Sequence, residues 1–145
     1  MKIYLDNCCL NRPFDDQSNP RIHLEAEAVK AIITMCEQGN WLLISSHVLI
    51  FEINNAPDRQ RANIIKLINQ LSKEVIPLTE KIRQRAKTFE TVGLQAFDAL
   101  HLASAEENAD VFLATDDQFI KKARQISGLT IKVSNPLHWL EEILP

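Results

Sequence analysis

Only three glycines occur in 145 residues, at Gly39, Gly93 and Gly128, and each stands alone. Loops that bring a backbone close to phosphate need clustered glycines, so neither a dinucleotide fingerprint nor a phosphate-binding loop can be built. Cysteine is equally scarce. Cys8, Cys9 and Cys36 are odd in number and lack C-x-x-C spacing, which excludes a disulfide framework and gives no zinc pattern. An excess of positive charge is also missing: 16 basic residues against 19 acidic ones leave a formal charge of −3. Diffuse electrostatic adhesion to nucleic acid or membrane is therefore not what this composition supports. Finally, no apolar run has the length of a signal peptide or a membrane span, and a carboxylate arrives at the sixth residue. The expectation is a cytoplasmic protein with no membrane partner.

What is present is enough for one core. With 46% hydrophobic and 24% charged residues the chain has globular composition, and no linker, repeat or low-complexity stretch divides it, so residues 1–145 read as a single domain. Lys2 to Leu5 is a short apolar run, followed by a polar stretch with Pro13 and Pro20 that suits a loop. Ile22, Ala26, Val29, Ile33 and Cys36 recur at helical spacing before Gly39. Further strands are expected at Trp41–Ile44, around Val75 to Leu78, at Val111–Ala114 and at Thr130–Val133. Helices fall between them, with Ser45 or Ser46, Thr79 and Pro136 as start signals. Regular alternation of this kind predicts an α/β fold: a three-layer arrangement in which a five-stranded parallel sheet carries helices on both faces.

In open parallel sheets, ligands bind beyond the carboxyl ends of the strands. Acidic residues stand at those places. Asp6 closes the first strand, and Glu52, in the helix after the second, is the only charge between Trp41 and Ile53. Asp98 is the only charge from Gly93 to Ala105, and Asp116 and Asp117 follow the fourth strand with Thr115 before them. A carboxylate isolated among apolar residues must be neutralised, paired or bound to a cation. Gathered together, these acids would form an oxygen-rich pocket suited to Mg²⁺ or Mn²⁺, which leave coordination positions for substrate phosphate. The chemistry suggested is phosphodiester hydrolysis.

The ordered set Leu5-Asp6-Asn7, Ser46 six residues before Glu52, Phe97-Asp98-Ala99-Leu100-His101-Leu102-Ala103, and Ala114-Thr115-Asp116-Asp117-Gln118-Phe119 resembles the PIN-domain family. VapC-type toxin ribonucleases of toxin–antitoxin pairs belong to that family, and the similarity runs along nearly the whole chain. It implies a metal-dependent endoribonuclease with Asp6, Glu52, Asp98 and Asp117 as catalytic and metal-binding acids. In the family pattern the last acid stands two residues after Thr or Ser, which selects Asp117. Thr115 then supports metal or phosphate, and Asp116 is left as an alternative ligand or an outlying support. One departure is Asn7, where the family often carries Thr or Ser; Asn7 can still hydrogen-bond a metal water. The partners implied are an RNA substrate, an antitoxin protein and a second copy of the chain.

Plainer explanations exist for the same residues. Asp98, Asp116 and Asp117 suit the first turn of a helix, where they complement the dipole. His101, three residues after Asp98, is expected as a packed core histidine, and His47 as structural. Arg59, Arg61 and Lys66, then Lys81, Arg83, Arg85 and Lys87, then Lys121, Lys122 and Arg124 are either solvated faces or phosphate contacts, with Arg12 and Arg21 as further candidates. Apolar Val48 to Phe51 and Ile64 to Leu71 belong either to the core or to a dimer seam or antitoxin groove. Two rival functions stand beside the nuclease: a catalytically weak RNA-binding or scaffold module of the same fold, and a phospho-acceptor regulator. The second wants an acid pair near the first strand, yet Asp6 has no acidic neighbour before Asp15.

Overall fold

The computed structural model describes all 145 residues. Five strands, β1 (Lys2–Leu5), β2 (Leu42–Ser46), β3 (Glu74–Ile76), β4 (Val111–Leu113) and β5 (Lys132–Ser134), form one parallel sheet in the order β3-β2-β1-β4-β5. The central strand is the most apolar: Ile3, Tyr4 and Leu5 are fully buried, as the middle of a two-sided sheet requires. Register aligns Ile3 with Leu43 on one side and with Val111 on the other. The chain steps outward from β1 to β3 and then returns past β1 to β4. Right-handed crossovers therefore place α2 (Pro20–Glu37), α3 (His47–Asn54) and α4 (Arg59–Asn69) on one face. By the same rule α5 (Glu80–Glu90), α6 (Ala96–Glu106) and α7 (Asp117–Arg124) cover the other. The last helix, α8 (Pro136–Ile143), packs on α2, with Trp41 and Trp139 edge to face at 5.0 Å. No helix is long and apolar enough to cross a membrane.

Most boundaries follow from local chemistry. Asn19, Ser46, Asp58, Thr79, Asp116 and Asn135 each accept a backbone N–H at the start of a helix, satisfying donors that have no partner within it. Three places differ from the expectation. The segment after β1 is not a loop but a short helix, α1 (Asn7–Asn11), followed by a 3-10 turn at Arg12–Phe14. Burial of Cys9 and Leu10 against the core holds it, and the Asp6 carbonyl accepts the N–H groups of Cys9 and Leu10. Strand β3 stops at Ile76, because Pro77 has no N–H to continue a ladder. Strand β5 lies about two residues later than its apolar run suggests, since Val133 pairs with Phe112 and Ser134 with Leu113.

One buried acid escaped the sequence pattern. Glu25 on α2 is 1% exposed and is held by Arg12 at 2.8 Å, by Arg21 at 3.4 Å and by the amide of Asn135. This cluster ties α2 to the turn after α1 and to the start of α8. Arg12 and Arg21 thus have structural partners within the chain.

Candidate metal and nuclease site

Asp6 ends the central strand at a position where a side chain would normally cap the helix that follows, yet it makes no capping bond to α1. Its backbone N–H reaches across to the Leu113 carbonyl at 3.0 Å, which fixes the residue between β1 and β4. The carboxylate is buried to 8% exposure and accepts from Cys8 Sγ at 3.3 Å. Cys8 Sγ in turn accepts the Thr115 N–H at 3.4 Å, so this thiol links the loop after β1 to the loop after β4. Burial is the main cause that raises the Asp6 pKa; His101 opposes it and Glu52 adds to it.

Glu52 is delivered by α3, whose start is fixed by Ser46 accepting the Leu49 N–H at 3.0 Å. The stacked rings of Phe51 and Phe97, 6.0 Å apart and 14° from parallel, set α3 against α6. Asp98 lies in the first turn of α6 and is partly buried. Its pKa is pushed up to about 6, first by desolvation and then by the negative charge of Asp6, with Asp116 and Glu52 adding to it and His101 opposing. The charges of Asp6, Asp116 and Glu52 thus all act on Asp98.

His101, one turn beyond Asp98, is buried at 1% exposure. Its Nε2 lies 3.4 Å from Glu52 Oε1 and 3.9 Å from Asp6 Oδ1, but is aligned with no acceptor as a hydrogen bond. Burial disfavours the imidazolium, while Glu52, Asp6 and Asp98 favour it, and the net direction of its pKa is upward. Asp6, Glu52 and His101 bring ligand atoms within 4.8 Å of one another. The histidine is both a core residue and a wall of the acidic pocket; its spacing from Asp98 was the available signal.

The two acids after β4 part company. Asp116 caps α7 through Oδ1 alone, accepting the N–H groups of Gln118 and Phe119, and its charge is felt by Asp98. The Asp117 carboxylate is exposed and held in a bidentate pair by Arg21 at 2.6 and 2.7 Å, which lowers its pKa. Asp116 thus shares a cleft with Asp98, while Asp117 is turned to Arg21. A helix explains the difference: successive residues at its start point about 100° apart. Thr115 is buried. The Asn7 side-chain oxygen accepts from Asn11 at 3.0 Å.

Several of the basic candidates are engaged within the chain. Arg61 binds Asp15 and the Phe14 carbonyl, Arg85 binds Glu106, and Arg124 binds the Val133 carbonyl. Lys122 differs, since it borders the same shallow cleft as Asp98 and Asp116 and reaches the Gly93 carbonyl at 3.3 Å. A cavity of about 700 Å³ is lined by residues such as Thr79, Arg85 and Glu106 and contains none of the site acids.

The residues present fit a divalent cation: carboxylates stand at the switch point of a parallel sheet, with ligand atoms of Asp6, Glu52 and His101 within 4.8 Å of one another. Comparison with known proteins identifies the family and the fold. The PIN domain family model matches residues 3–125. The fold is similar to that in the crystal structure of FitAcB from Neisseria gonorrhoeae, at TM-score 0.60 and 18% identity, covering 94% of this chain and 99% of that one. It is also similar to VapBC2 from Rickettsia felis, solved bound to a DNA fragment from their promoter, at TM-score 0.58 and 14% identity, covering 93% and 98%. Among curated proteins, none matches this chain by sequence.

Proposed function

This chain belongs to the PIN domain family, and from that premise we propose that it is a metal-dependent endoribonuclease acting in the cytoplasm as the toxin of a toxin–antitoxin pair. The observation that carries the reading is the approach of Asp6, Glu52 and His101, whose ligand atoms lie within 4.8 Å of one another, together with an Asp98 carboxyl pushed up to about 6 by burial and by its acidic neighbours. Such a cluster is costly when empty and favourable around a cation. Asp6, Glu52, Asp98 and Asp116 are the residues assigned to hold Mg²⁺ or Mn²⁺, and Asp117 is assigned to Arg21. A bound divalent ion supplies Lewis acidity toward water and toward phosphate oxygens.

The chain's own residues supply the rest. Asp6, directly after the buried central strand, gives the fixed point of the site. Lys122, at the rim beside Asp98 and Asp116, offers a positive charge to an RNA phosphate that the acids alone would repel. Thr115, between β4 and Asp116, offers a hydroxyl at the same rim. Phe51, Ile64 and Leu67 are exposed on α3 and α4, and this apolar surface is assigned to an antitoxin or to a second copy of the chain. The likeness to FitAcB and VapBC2 supports the toxin assignment through the fold.

The test is RNA cleavage by the purified chain with Mn²⁺, with chelator, and in Asp98→Asn. Cleavage that needs the metal and is lost in the variant is the expected result; chelator-resistant cleavage overturns the metal claim. Growth arrest on induced expression, absent with Asp98→Asn, is the corresponding result for the toxin assignment.

A further inference from the structure

Two phenylalanines stand next to two of the site acids. Phe51 immediately precedes Glu52 on α3, and Phe97 immediately precedes Asp98 on α6. Their rings stack with centroids 6.0 Å apart and planes 14° from parallel. Successive Cα atoms are about 3.8 Å apart and successive side chains on a helix diverge by about 100°, so each ring lies beside its acid without entering the cation site. Phe51 backs one face of the Phe97 ring, yet Phe97 is still 43% exposed.

The extent of this exposed surface decides what fits it. The apolar surface assigned to a protein partner runs over α3 and α4, whereas Phe97 is the one large apolar side chain that α6 exposes. A single ring is too small for a protein seam and has the size of one nucleobase. Proteins hold single-stranded nucleic acid by stacking bases on aromatic side chains and by placing cations along the phosphates. The cation is present here. Lys122 lines the cleft of Asp98 and Asp116, and its ammonium reaches the Gly93 carbonyl and no carboxylate. Asp98 therefore has a ring one residue before it and a positive charge within its own cleft.

We infer that Phe97, backed by Phe51, is a base-stacking subsite: an unpaired nucleobase next to the cleaved phosphodiester lies on its ring, while Lys122 takes a neighbouring phosphate. The inference rests on the proposed function in taking RNA as the substrate and the acids as the place of cleavage. Every base has a π face, so the subsite fixes the strand without selecting one sequence.

Anisotropy of fluorescent single-stranded oligoribonucleotides, one of each base, measures binding with Mn²⁺ on the Asp98→Asn chain, in which no strand is cut. Removing a stacking ring weakens binding by about fivefold to a hundredfold. That loss is expected when Phe97→Ala is added. Phe97→Leu, apolar but without a π face, is expected to lose nearly as much, and Phe97→Tyr to bind as the Asp98→Asn parent does. Oligomers with one abasic position locate the contact: at the stacked position the parent loses affinity and the alanine variant loses none further. In the cleaving chain Phe97→Ala should raise KM and leave kcat nearly unchanged, the mark of an interaction made equally in the ground and transition states.

Thermal melts report the fold. Equal RNA affinity in folded Phe97→Ala and its parent overturns the inference, and loss of self-association with RNA affinity intact gives the ring to the protein-binding surface instead. Should the alanine variant fail to fold, the leucine and tyrosine variants decide, and equal binding by those two overturns the inference. No binding of any oligoribonucleotide, by the native chain or by Asp98→Asn, overturns it together with the RNA assignment. A native chain that binds RNA through Phe97 but cleaves none removes the nuclease reading and leaves the subsite standing.

Discussion

The Arg21 guanidinium meets the Asp117 carboxylate in a two-point pair at 2.6 and 2.7 Å, on the outside of the molecule and turned from the acidic pocket. Both side chains are more than half exposed, so the pair contributes little to stability, on the order of 0.5 kcal/mol. Asp117→Asn is accordingly expected to keep Mn²⁺ affinity within about threefold, an estimate of the same size as that pair energy. Asp116→Asn, by contrast, is expected to lose at least tenfold, in line with removal of a group at a metal site. Calorimetric titration of the two variants side by side checks this, and the reverse ranking restores Asp117 as the ligand.

Metal-free protein should be more stable at mildly acidic than at slightly alkaline pH. Asp98 has a folded pKa of about 6, above the value of about 3.9 for an unfolded aspartate. The folded state therefore binds a proton more tightly, and stability falls as pH rises between those two values. Asp6 is shifted in the same direction, and His101, also raised, likewise favours the folded state below its folded pKa. Thermal melts in chelator are expected to show a higher Tm at pH 5.5 than at pH 7.5. Asp98→Asn should flatten that dependence, and Mn²⁺ should raise the pH 7.5 value of the native chain far more than that of the variant.

Glu25→Leu should destabilise the fold by on the order of 3 kcal/mol, since it strands Arg12, a partly buried cation, without its main partner. Urea denaturation measures this. Its effect on metal affinity is expected to be small, because Glu25 and the acidic pocket share no hydrogen bond.

Leu67, 65% exposed on α4, and Phe51, 56% exposed on α3, give a direct test of the assigned protein-binding surface. Leu67→Lys is expected to leave the melting temperature nearly unchanged, as substitutions at exposed positions usually do. Sedimentation should then show a shift toward monomer, or loss of antitoxin binding in a co-expression pull-down. An unchanged assembly in both assays removes this face from consideration.

The parallel sheet was legible because short apolar runs alternate with helical periodicity, and the acids were legible because Asp6, Glu52 and Asp98 each interrupt an apolar stretch. Asp116 and Asp117 were not separable in this way: adjacent residues at a helix start diverge only in three dimensions. Helix α1 was hidden because five residues carry too little periodicity, and its stability comes from Cys9 and Leu10 meeting the core. Glu25 looked like one more charge on an amphipathic helix, since its partners Arg12 and Asn135 are separated from it by 13 and 110 positions. His101 could be placed near Asp98 from spacing, but Tyr4, which bonds its ring, and Ser46, which bonds Tyr4, come from two different strands.

The proposed site draws on residues at positions 6, 52, 98 and 116, and Asp6 is anchored by a backbone bond to Leu113. A growing chain therefore has no assembled site until the segment through Asp116 has left the ribosome and β4 has docked beside β1. For a protein whose proposed activity destroys RNA, this order of assembly withholds cleavage through most of the domain's own synthesis.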